Sequence, residues 1–343
     1  MSGWEPDVLP GYWQRTFALG PDPDGEGELV ATLVRRGEPD PSARHAVLMV
    51  HGYTDYFFHT ELADHFAKRD FACYALDLHK CGRSHRHGQT PHFTTDLARY
   101  DVELELALQT IAAVAPAEVL VCGHSAGGLV VALWLDRLRR ARRTTALGVS
   151  GLVLNSPFLD LHGPAVLRSA PTSAALRAMG RLRSRTVVRR SGQGGYGTSL
   201  HRRYSGEFDY NLEWKPIGGF PVTFGWLHAI RRGHAQLHRG LDVGVPNLIL
   251  RSDRSVREVD DAQLIQRGDA VLDVSQIARR AGCIGNRSTV VPITDAKHDV
   301  FLSLAEPRAA AYAELDRWLD WYLTHHLGDA PGAAASERRR EHG

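Results

Sequence analysis

Short runs of apolar residues alternate along the first half of the chain with longer segments in which apolar residues recur every three or four positions. Short continuous runs are typical of strands buried on both faces of a sheet, and the recurring spacing is typical of helices. The strand-like runs are His45–His51, Phe71–Asp77, Glu118–His124 and Gly151–Pro157. The helix-like segments are Tyr56–Arg69, Thr94–Val114 and Ala126–Arg140. This alternation predicts an α/β fold with a mostly parallel, doubly wound central sheet.

The alternation is interrupted once and then resumes. Residues 158–241 show no regular alternation, which predicts an inserted, mainly helical cap. Residues 1–157 and 242–327 are predicted to form the core, and the polar tail 328–343 is expected to be disordered. The remaining strand-like runs are Trp13–Leu19, Glu28–Arg36, Val245–Ser252 and Ser288–Ile293, and the remaining helix-like segments are Val274–Gly282 and Pro307–Leu327.

Composition narrows the class of protein further. The 343 residues are 43% hydrophobic, enough for a large core, and the net charge of +2 gives no general electrostatic reason to expect nucleic-acid binding. The four cysteines form no Cys-x-x-Cys pair, so no zinc site is expected. No apolar run reaches the roughly 18 residues of a membrane span, and the N-terminus lacks a signal-peptide pattern. We therefore expect a soluble, cytoplasmic monomer or homodimer that uses no metal and no organic cofactor.

One glycine-flanked serine stands between a predicted strand and a predicted helix, in the pentapeptide Gly123-His124-Ser125-Ala126-Gly127. A G-x-S-x-G turn in this context is typical of a nucleophile elbow, in which the serine hydroxyl projects from the carboxyl edge of the sheet. The following helix supplies backbone N–H groups and the positive end of its dipole at the same place. The pattern predicts Ser125 as a nucleophile and the N–H of Ala126 as a donor to an oxyanion.

A second segment, Met49–Tyr56, is predicted to complete the oxyanion site. His51 and Gly52 end a strand that comes before the elbow strand in the sequence, and the glycine permits a tight turn. That turn would bring the N–H of Tyr53 to the space in front of the serine hydroxyl, and acyl transfer needs two such donors. His51 itself is expected to be a packed polar residue without a role in proton transfer.

Candidates for the general base, and for the acid that orients it, follow the later predicted strands. His298 follows the last predicted strand and precedes the last helix, which favours it as the general base, and its neighbour Asp299 is expected to make a structural hydrogen bond. Three aspartates compete as the acid that orients the base. These are Asp160, Asp253 and Asp269.

Four stretches together resemble the α/β-hydrolase fold: HGYTDY, DLHKCGRS, GHSAGG and DAKHDVF. The resemblance is to its serine-aminopeptidase-like branch, which includes monoacylglycerol lipases and lysophospholipases. In that branch a helix and a strand separate the acid from the base, and the acid lies in a G-x-D-like turn. The resemblance therefore favours Asp269, which lies 29 residues before His298 (298 − 269), with Asp253 and Asp160 as alternatives. The segment between Asp253 and Asp269 resembles an insertion.

These residues predict a serine hydrolase that cleaves a carboxylic ester through an acyl-enzyme with a Ser-His-Asp triad, resembling a lipase, lysophospholipase or esterase. The expected partner is a small-molecule ester, with a lipid-like acyl chain made plausible by the cap. The aromatic residues Phe220, Phe224 and Trp226 would either line an acyl pocket or form the core of the cap. Two other classes stay open: a non-catalytic module of the same fold that binds a ligand or a protein, and an acyltransferase.

Overall fold

The fold is built around one mostly parallel central sheet. The structure is a computed structural model that describes residues 3–115, 118–162, 170–190, 192, 194–257 and 261–328. Within these residues nine strands form one sheet in the order β1-β2-β3-β5-β4-β6-β7-β10-β11, and β8 and β9 form a separate two-stranded ribbon. The strands are β1 Glu5–Pro6, β2 Tyr12–Pro21, β3 Glu28–Arg36, β4 His45–Val50, β5 Phe71–Asp77, β6 Glu118–His124, β7 Val149–Asn155, β8 Val187–Arg189, β9 Val222–Thr223, β10 Asn247–Ser252 and β11 Ser288–Ile293.

Strand direction divides the sheet into two parts. From β5 through β4, β6, β7 and β10 to β11 every neighbouring pair is parallel. The first three strands add an antiparallel edge, in which β2 pairs with β3 and β3 with β5. All six residues of β4 are buried, as expected for a central strand covered on both faces.

Helices cover both faces of the sheet. The helices of the described residues are α1 Thr60–Ala67, α2 Asp101–Ala112, α3 Ser125–Arg140, α4 Ala170–Leu182, α5 Gly195–Leu200, α6 Phe224–Leu237, α7 Ala262–Ile265, α8 Val274–Arg280 and α9 Ala305–Trp321. Residues of α2, α3, α6 and α8 pack into one apolar core, and residues of α1 and α9 pack into a second. The two cores lie on opposite faces of the sheet, so each helix buries one apolar side against it.

Several predicted helix ends differ from the observed ones, for physical reasons. Helix α1 begins at Thr60 rather than Tyr56, because the N–H of Phe57 donates to the Asp77 carboxylate (2.8 Å) and is held outside the helix. The predicted helix over 94–114 starts as a 3-10 turn, and the Asp96 side chain caps that turn by accepting from the N–H of Ala98 (3.1 Å).

Other predicted elements need smaller corrections. Strand β7 covers Val149–Asn155, so it starts and ends two residues earlier than predicted. The last helix, α9, ends at Trp321 and continues as a π-helical turn over Tyr322–His326. The predicted bounds of β3, β5, β6 and β11 are confirmed.

The segment predicted as an inserted cap leaves the sheet after β7 and returns to it at β10, which are neighbours in the sheet. Its described part contains α4, α5, α6 and the β8–β9 ribbon. Helix α6 packs against α3: a Cβ atom on Gly233 would lie 2.9 Å from Leu133 Cδ1. The division into core and cap stays a prediction, and the predicted disorder of the tail from residue 329 onward falls outside the described residues.

Among the described residues, no helix is both long enough and apolar enough to cross a bilayer.

Candidate active site

The predicted nucleophile lies in the sharp turn between β6 and α3. Ser125 has a φ of +52°, a left-handed conformation that residues with a side chain rarely adopt. A Cβ atom on Gly127 would lie 2.2 Å from the carbonyl oxygen of His51. A Cβ atom on Gly123 would lie 2.9 Å from the Cα atom of Gly128. Glycine at both positions therefore lets the turn pack against the end of β4 and against its own helix while Ser125 stays strained.

Ser125, His298 and Asp269 form a continuous chain of hydrogen bonds. His298 Nε2 lies 2.9 Å from Ser125 Oγ, and His298 Nδ1 lies 2.9 Å from Asp269 Oδ2. The exposed fractions of the three residues are 8%, 2% and 0% in that order, so bulk water does not compete for these bonds. The second carboxylate oxygen of Asp269 accepts the N–H groups of Val271 (2.8 Å) and Leu272 (2.7 Å), which fixes its orientation. In this geometry the imidazole can take the serine proton while the carboxylate stabilises the resulting imidazolium.

Asp269 reaches His298 because its segment pairs with the chain that follows β10. The N–H of Asp269 donates to the carbonyl of Arg254 (3.0 Å), and the N–H of Val256 donates to the carbonyl of Asp269 (2.9 Å). Ser255 and Asp269 therefore form a parallel bridge. The stretch of chain between the paired segments, predicted as an insertion, thus does not carry Asp269 away from the end of β10.

The other two candidate acids lie elsewhere. Asp253 accepts the N–H of Asp295 (3.1 Å) with one carboxylate oxygen. Asp160, within the segment predicted as the cap, is buried beside Arg231 (3.2 Å) and Arg280 (3.4 Å). Within the described part of the chain, the carboxylate bonded to His298 is that of Asp269.

The two predicted oxyanion residues lie together beside the nucleophile. Tyr53 and Ala126 line one small cavity of about 20 Å³. The Tyr53 hydroxyl donates to the carbonyl of Pro221 (2.7 Å), and its ring centroid lies 4.1 Å from that of Trp226. Trp226 lines this small cavity and also belongs to the large apolar core that includes residues of α2 and α3, while an acyl pocket lined by the aromatic residues stays a prediction.

A buried charge network lies behind the elbow, and sequence reasoning missed it. Lys215 Nζ lies 2.7 Å from Asp55 Oδ1, and Asp55 Oδ2 lies 3.1 Å from Nδ1 of His124, the residue before the nucleophile. Burial alone would raise the pKa of the Asp55 carboxyl, but the Lys215 charge and the His124 hydrogen bond outweigh it and hold that pKa well below its usual range. The network therefore carries an ionised carboxylate next to the elbow.

Asp299 extends this network to the loop of the base. Its carboxylate accepts from Asn155 Nδ2 (2.7 Å) and bonds to His59 Nε2 (2.9 Å), in agreement with the structural hydrogen bond expected for it. Burial opposes ionisation of Asp299, but the imidazoles of His124 and His59 outweigh burial and lower its pKa. For His59 burial lowers the pKa, and the hydrogen bond to Asp299 and its charge more than reverse this, so that the pKa is raised above its ordinary value.

The cap also contributes a residue that contacts the base directly. The ring of Tyr196, on α5, stands edge-on to the His298 ring with centroids 5.6 Å apart, and its hydroxyl accepts the N–H of Asp299 (3.2 Å). Nothing in the irregular sequence of the cap marked Tyr196. For Lys215 a signal existed: the chain has four lysines against a large excess of arginine. Three of those lysines are buried: Lys80, Lys215 and Lys297.

One cluster has the residue types of a metal site. Ligand atoms of His51, Cys81 and His92 lie within 4.8 Å of one another. Both ring nitrogens of His51 are already used, since Nε2 accepts the N–H of Leu78 (3.1 Å) and Nδ1 lies 2.8 Å from the carbonyl of Gly52. A metal ion there would have to replace both bonds, so the donor set does not fit a preformed metal centre.

Comparisons with known proteins bear on the family and the fold of the chain. The model of the serine aminopeptidase (S33) hydrolase family matches residues 41–269. Comparison with the curated proteins finds no sequence relative.

Solved structures with the same fold include several hydrolases. Monoglyceride lipase of Saccharomyces cerevisiae superimposes with a TM-score of 0.61 at 16% identity, over 90% of this chain and 96% of the lipase. Monoacylglycerol lipase of Paleococcus ferrophilus gives 0.57 at 15% identity, over 90% and 98% of the two chains. A putative aryl esterase of Burkholderia cenocepacia gives 0.50 at 16% identity, over 91% and 100%. The predicted α/β-hydrolase fold is therefore confirmed.

Proposed function

Because this chain belongs to the serine aminopeptidase (S33) hydrolase family, we propose that it is a serine hydrolase that cleaves a carboxylic ester through an acyl-enzyme. The observation that carries the proposal is the buried hydrogen-bonded chain from Ser125 Oγ through His298 to Asp269, with 2.9 Å at each step. Such a chain lowers the barrier to attack by an otherwise weak nucleophile.

In the proposed reaction Ser125 Oγ attacks the acyl carbon while His298 Nε2 takes the hydroxyl proton. The tetrahedral oxyanion is held by the N–H groups of Tyr53 and Ala126. His298 then gives its proton to the leaving alcohol, which leaves the acyl group on Ser125. Water, deprotonated by the same imidazole, attacks the ester of the acyl-enzyme, and the imidazolium returns this proton to Ser125 Oγ as the carboxylic acid leaves. Asp269 stays ionised throughout and stabilises the imidazolium.

The structural neighbours of this chain favour an ester as the substrate over an amide or a peptide. Two structural neighbours are described as monoglyceride or monoacylglycerol lipases and a third as a putative aryl esterase. The small cavity that Tyr53 and Ala126 line also has apolar walls from Val130, Trp226 and Ile230, which suit an uncharged substrate. We therefore propose an uncharged, lipid-like or small carboxylic ester as the substrate.

The test combines labelling and turnover. A fluorophosphonate probe is expected to label wild type at Ser125, and Ser125→Ala is expected to lose both the label and about 10⁴-fold or more of ester turnover. p-Nitrophenyl esters of increasing chain length, a monoglyceride and a lysophospholipid give the chain-length preference. Ser84→Ala is the control, because Ser84 is also buried and hydrogen-bonded but lies away from the elbow. Equal labelling of wild type and Ser125→Ala would overturn the mechanism.

Two outcomes would point to other members of the fold. Absence of both labelling and turnover would favour a non-catalytic binding module. Labelling with slow hydrolysis that accelerates when an alcohol acceptor is added, with the new ester as product, would favour acyl transfer, because the two reactions share the acyl-enzyme.

A further inference from the structure

The charge of this chain is unevenly distributed along the sequence. Residues 161–206 contain nine arginines and no lysine, aspartate or glutamate, so this stretch carries +9 and the rest of the chain carries −7 (2 − 9). Its described part includes α4 and β8, in the segment predicted as the cap. The small net charge of the whole chain is therefore the sum of a strongly basic region and an acidic remainder, a pattern typical of proteins that bind an anionic partner.

The most exposed part of the basic region is the segment 181–190, which joins the end of α4 to β8. All of its residues except Ser184 are exposed. Five of them are arginines: Arg181, Arg183, Arg185, Arg189 and Arg190. Arg185 lies 3.3 Å from the carboxylate of Glu26, whereas the other four have no carboxylate within ion-pair distance in the described part of the chain. Four guanidinium groups are therefore available to an anion from outside the chain.

Apolar side chains lie among these arginines. Leu182 is 81% exposed, Val187 45% and Val188 42%. Ten large apolar side chains are exposed among the described residues, and three of the ten fall within these ten consecutive positions. Single exposed apolar residues are ordinary, but a cluster of them indicates an interaction site.

The backbone of the segment is fixed although its side chains are exposed. The N–H of Gly225 donates to the carbonyl of Ser184 (2.8 Å), and β8 pairs antiparallel with β9. The residue before β9, Pro221, accepts the hydrogen bond from the Tyr53 hydroxyl (2.7 Å). The exposed side chains are therefore held on a rigid support close to the loop that carries Tyr53.

A bilayer surface that contains anionic lipids matches both features of the segment. Guanidinium groups bind phosphate oxygens in pairs, and aliphatic side chains enter the boundary between headgroups and acyl chains. An acidic protein would satisfy the arginines but would also need an apolar patch shaped to fit Leu182, Val187 and Val188, whereas a fluid bilayer accepts such side chains in any arrangement. The combination therefore favours a lipid surface.

We infer that the segment 181–190 is a docking surface for membranes that contain anionic lipids, and that it holds the candidate active site beside the bilayer. Binding at this surface does not depend on the proposed ester hydrolysis. Each arginine close to an anionic bilayer strengthens binding by about fivefold, and salt screens this attraction.

Flotation of the full chain with vesicles tests the inference. The vesicles contain phosphatidylcholine alone or phosphatidylcholine with about 30% phosphatidylglycerol, at about 0.1 M and about 0.5 M salt. Wild type is expected to bind the phosphatidylglycerol vesicles at least about tenfold more tightly at the lower salt and to lose most of this difference at the higher salt. Equal binding to both kinds of vesicle, or binding to neither, would overturn the docking surface.

Two double variants separate the charged part of the surface from the apolar part. Arg183→Gln/Arg190→Gln removes two unpaired charges and is expected to weaken binding to phosphatidylglycerol vesicles by about tenfold to thirtyfold at the lower salt. Val187→Thr/Val188→Thr keeps the charges and the β-branched side chains, and is expected to weaken binding by about threefold to tenfold at both salt concentrations. Binding as tight as that of wild type in both variants would contradict the assignment.

A matched pair of arginines elsewhere provides the control. Arg139 and Arg140 are exposed at the end of α3, about 20 Å along the helix from Ser125. Arg139→Gln/Arg140→Gln removes the same charge as Arg183→Gln/Arg190→Gln and is expected to change vesicle binding by less than about twofold. An equal loss in the control would show that net charge, and not this segment, attracts the protein to the vesicles. Thermal unfolding midpoints close to wild type verify that the variants are folded.

Failure of the docking surface is separable from failure of the proposed function. Ser125→Ala is expected to bind phosphatidylglycerol vesicles as wild type does while it loses labelling and turnover, so the vesicle assay reports on docking alone. Turnover of p-nitrophenyl butyrate without vesicles reports on the mechanism alone. Binding of wild type to poly-L-glutamate without binding to vesicles would overturn the lipid partner in favour of an acidic protein.

Discussion

At the scale of single residues, the site combines a strained nucleophile with a rigid acid. Ser125 keeps its left-handed backbone because glycines allow the close approaches around it, and Asp269 keeps its orientation because two backbone N–H groups hold one of its oxygens. Neither side chain has to reorganise when the imidazole changes charge. Preorganisation of this kind reduces the cost of forming the transition state.

The identity of the acid gives a prediction at this scale. Asp269→Asn is expected to reduce kcat for a p-nitrophenyl ester about 10³- to 10⁴-fold, because an amide cannot stabilise the imidazolium and favours the wrong tautomer of His298. Asp253→Asn is the matched control and is expected to change kcat less than about threefold, because that carboxylate binds the N–H of Asp295. A near-normal rate in Asp269→Asn, measured at saturating substrate, would show that another group holds the base.

At the scale of elements, the segment predicted as the cap contacts the loop that carries Tyr53. The Tyr53 hydroxyl bonds to the carbonyl of Pro221, and the N–H of Phe220 donates to Thr54 Oγ1 (2.9 Å). Lys215 binds the next residue of the loop, Asp55 (2.7 Å). Thr54 between them has a φ of +54°, so these contacts hold a backbone conformation that the loop alone would not favour.

Removing one of these contacts is expected to lower kcat more than it weakens substrate binding. Lys215→Met is expected to lower kcat by about tenfold to a hundredfold, because the loop carries an oxyanion donor and small displacements there are costly. It leaves the buried Asp55 with one partner fewer, so unfolding free energy is expected to fall by about 3–5 kcal/mol. Steady-state kinetics and denaturant unfolding measure the two effects.

The same substitution on a surface lysine is the control for Lys215→Met. Lys68 is exposed, and Lys68→Met is expected to leave kcat and stability within about 0.5 kcal/mol of wild type. The double variant Asp55→Asn/Lys215→Met removes both charges and is expected to regain part of the lost stability without regaining kcat. Recovery of kcat in the double variant would show that Lys215 acts only on stability.

At the scale of the whole molecule, the carboxyl edge of the sheet is joined by buried charges. Asp299, from the loop of the base, binds Asn155 at the end of β7 and His59 just before α1. His124 links the same cluster through Asp55 to Lys215 in the cap. Apolar packing holds the two faces of the sheet, and this charged cluster holds together the segments that carry the nucleophile and the base.

The cluster predicts a pH dependence of global stability. The pKa of His59 is raised in the folded protein, so the stability that its charge contributes is fully present below its unfolded pKa of about 6.5 and is lost as the pH rises through the folded value. His59→Gln keeps a donor for Asp299 but does not titrate. Its loss of unfolding free energy is expected to be larger at about pH 5.5 than at about pH 9. Denaturant unfolding at the two pH values measures this.

An exposed histidine provides the reference for that experiment. His87→Gln is expected to change stability equally, and little, at both pH values, because His87 is exposed. A loss in His59→Gln that does not depend on pH would mean that His59 is neutral in the folded protein.

The sequence alone determined the features that rest on local pattern. Short strand-like runs predicted β3, β5, β6 and β11 to the residue, and β5 and β6 are mostly buried, as such apolar runs require. The nucleophile elbow could be predicted because its sharp turn requires small residues at a fixed spacing around Ser125. His298 was readable because a base must follow a strand end at the same edge of the sheet.

Tertiary structure alone decided what depends on distant segments meeting. Three aspartates were candidates in the sequence, with Asp269 favoured by the resemblance, and in the structure the pairing of Asp269 with the chain after β10 brings its carboxylate to His298. The hydrophobic pattern of the sequence does not indicate the contacts of Lys215 and Tyr196. Each of these side chains joins two segments that are remote in the sequence. Backbone pattern is a local property and packing is not, so the fold and the elbow turn were predictable from the sequence, whereas the choice of Asp269 needed the family resemblance and the surroundings of the site needed the structure.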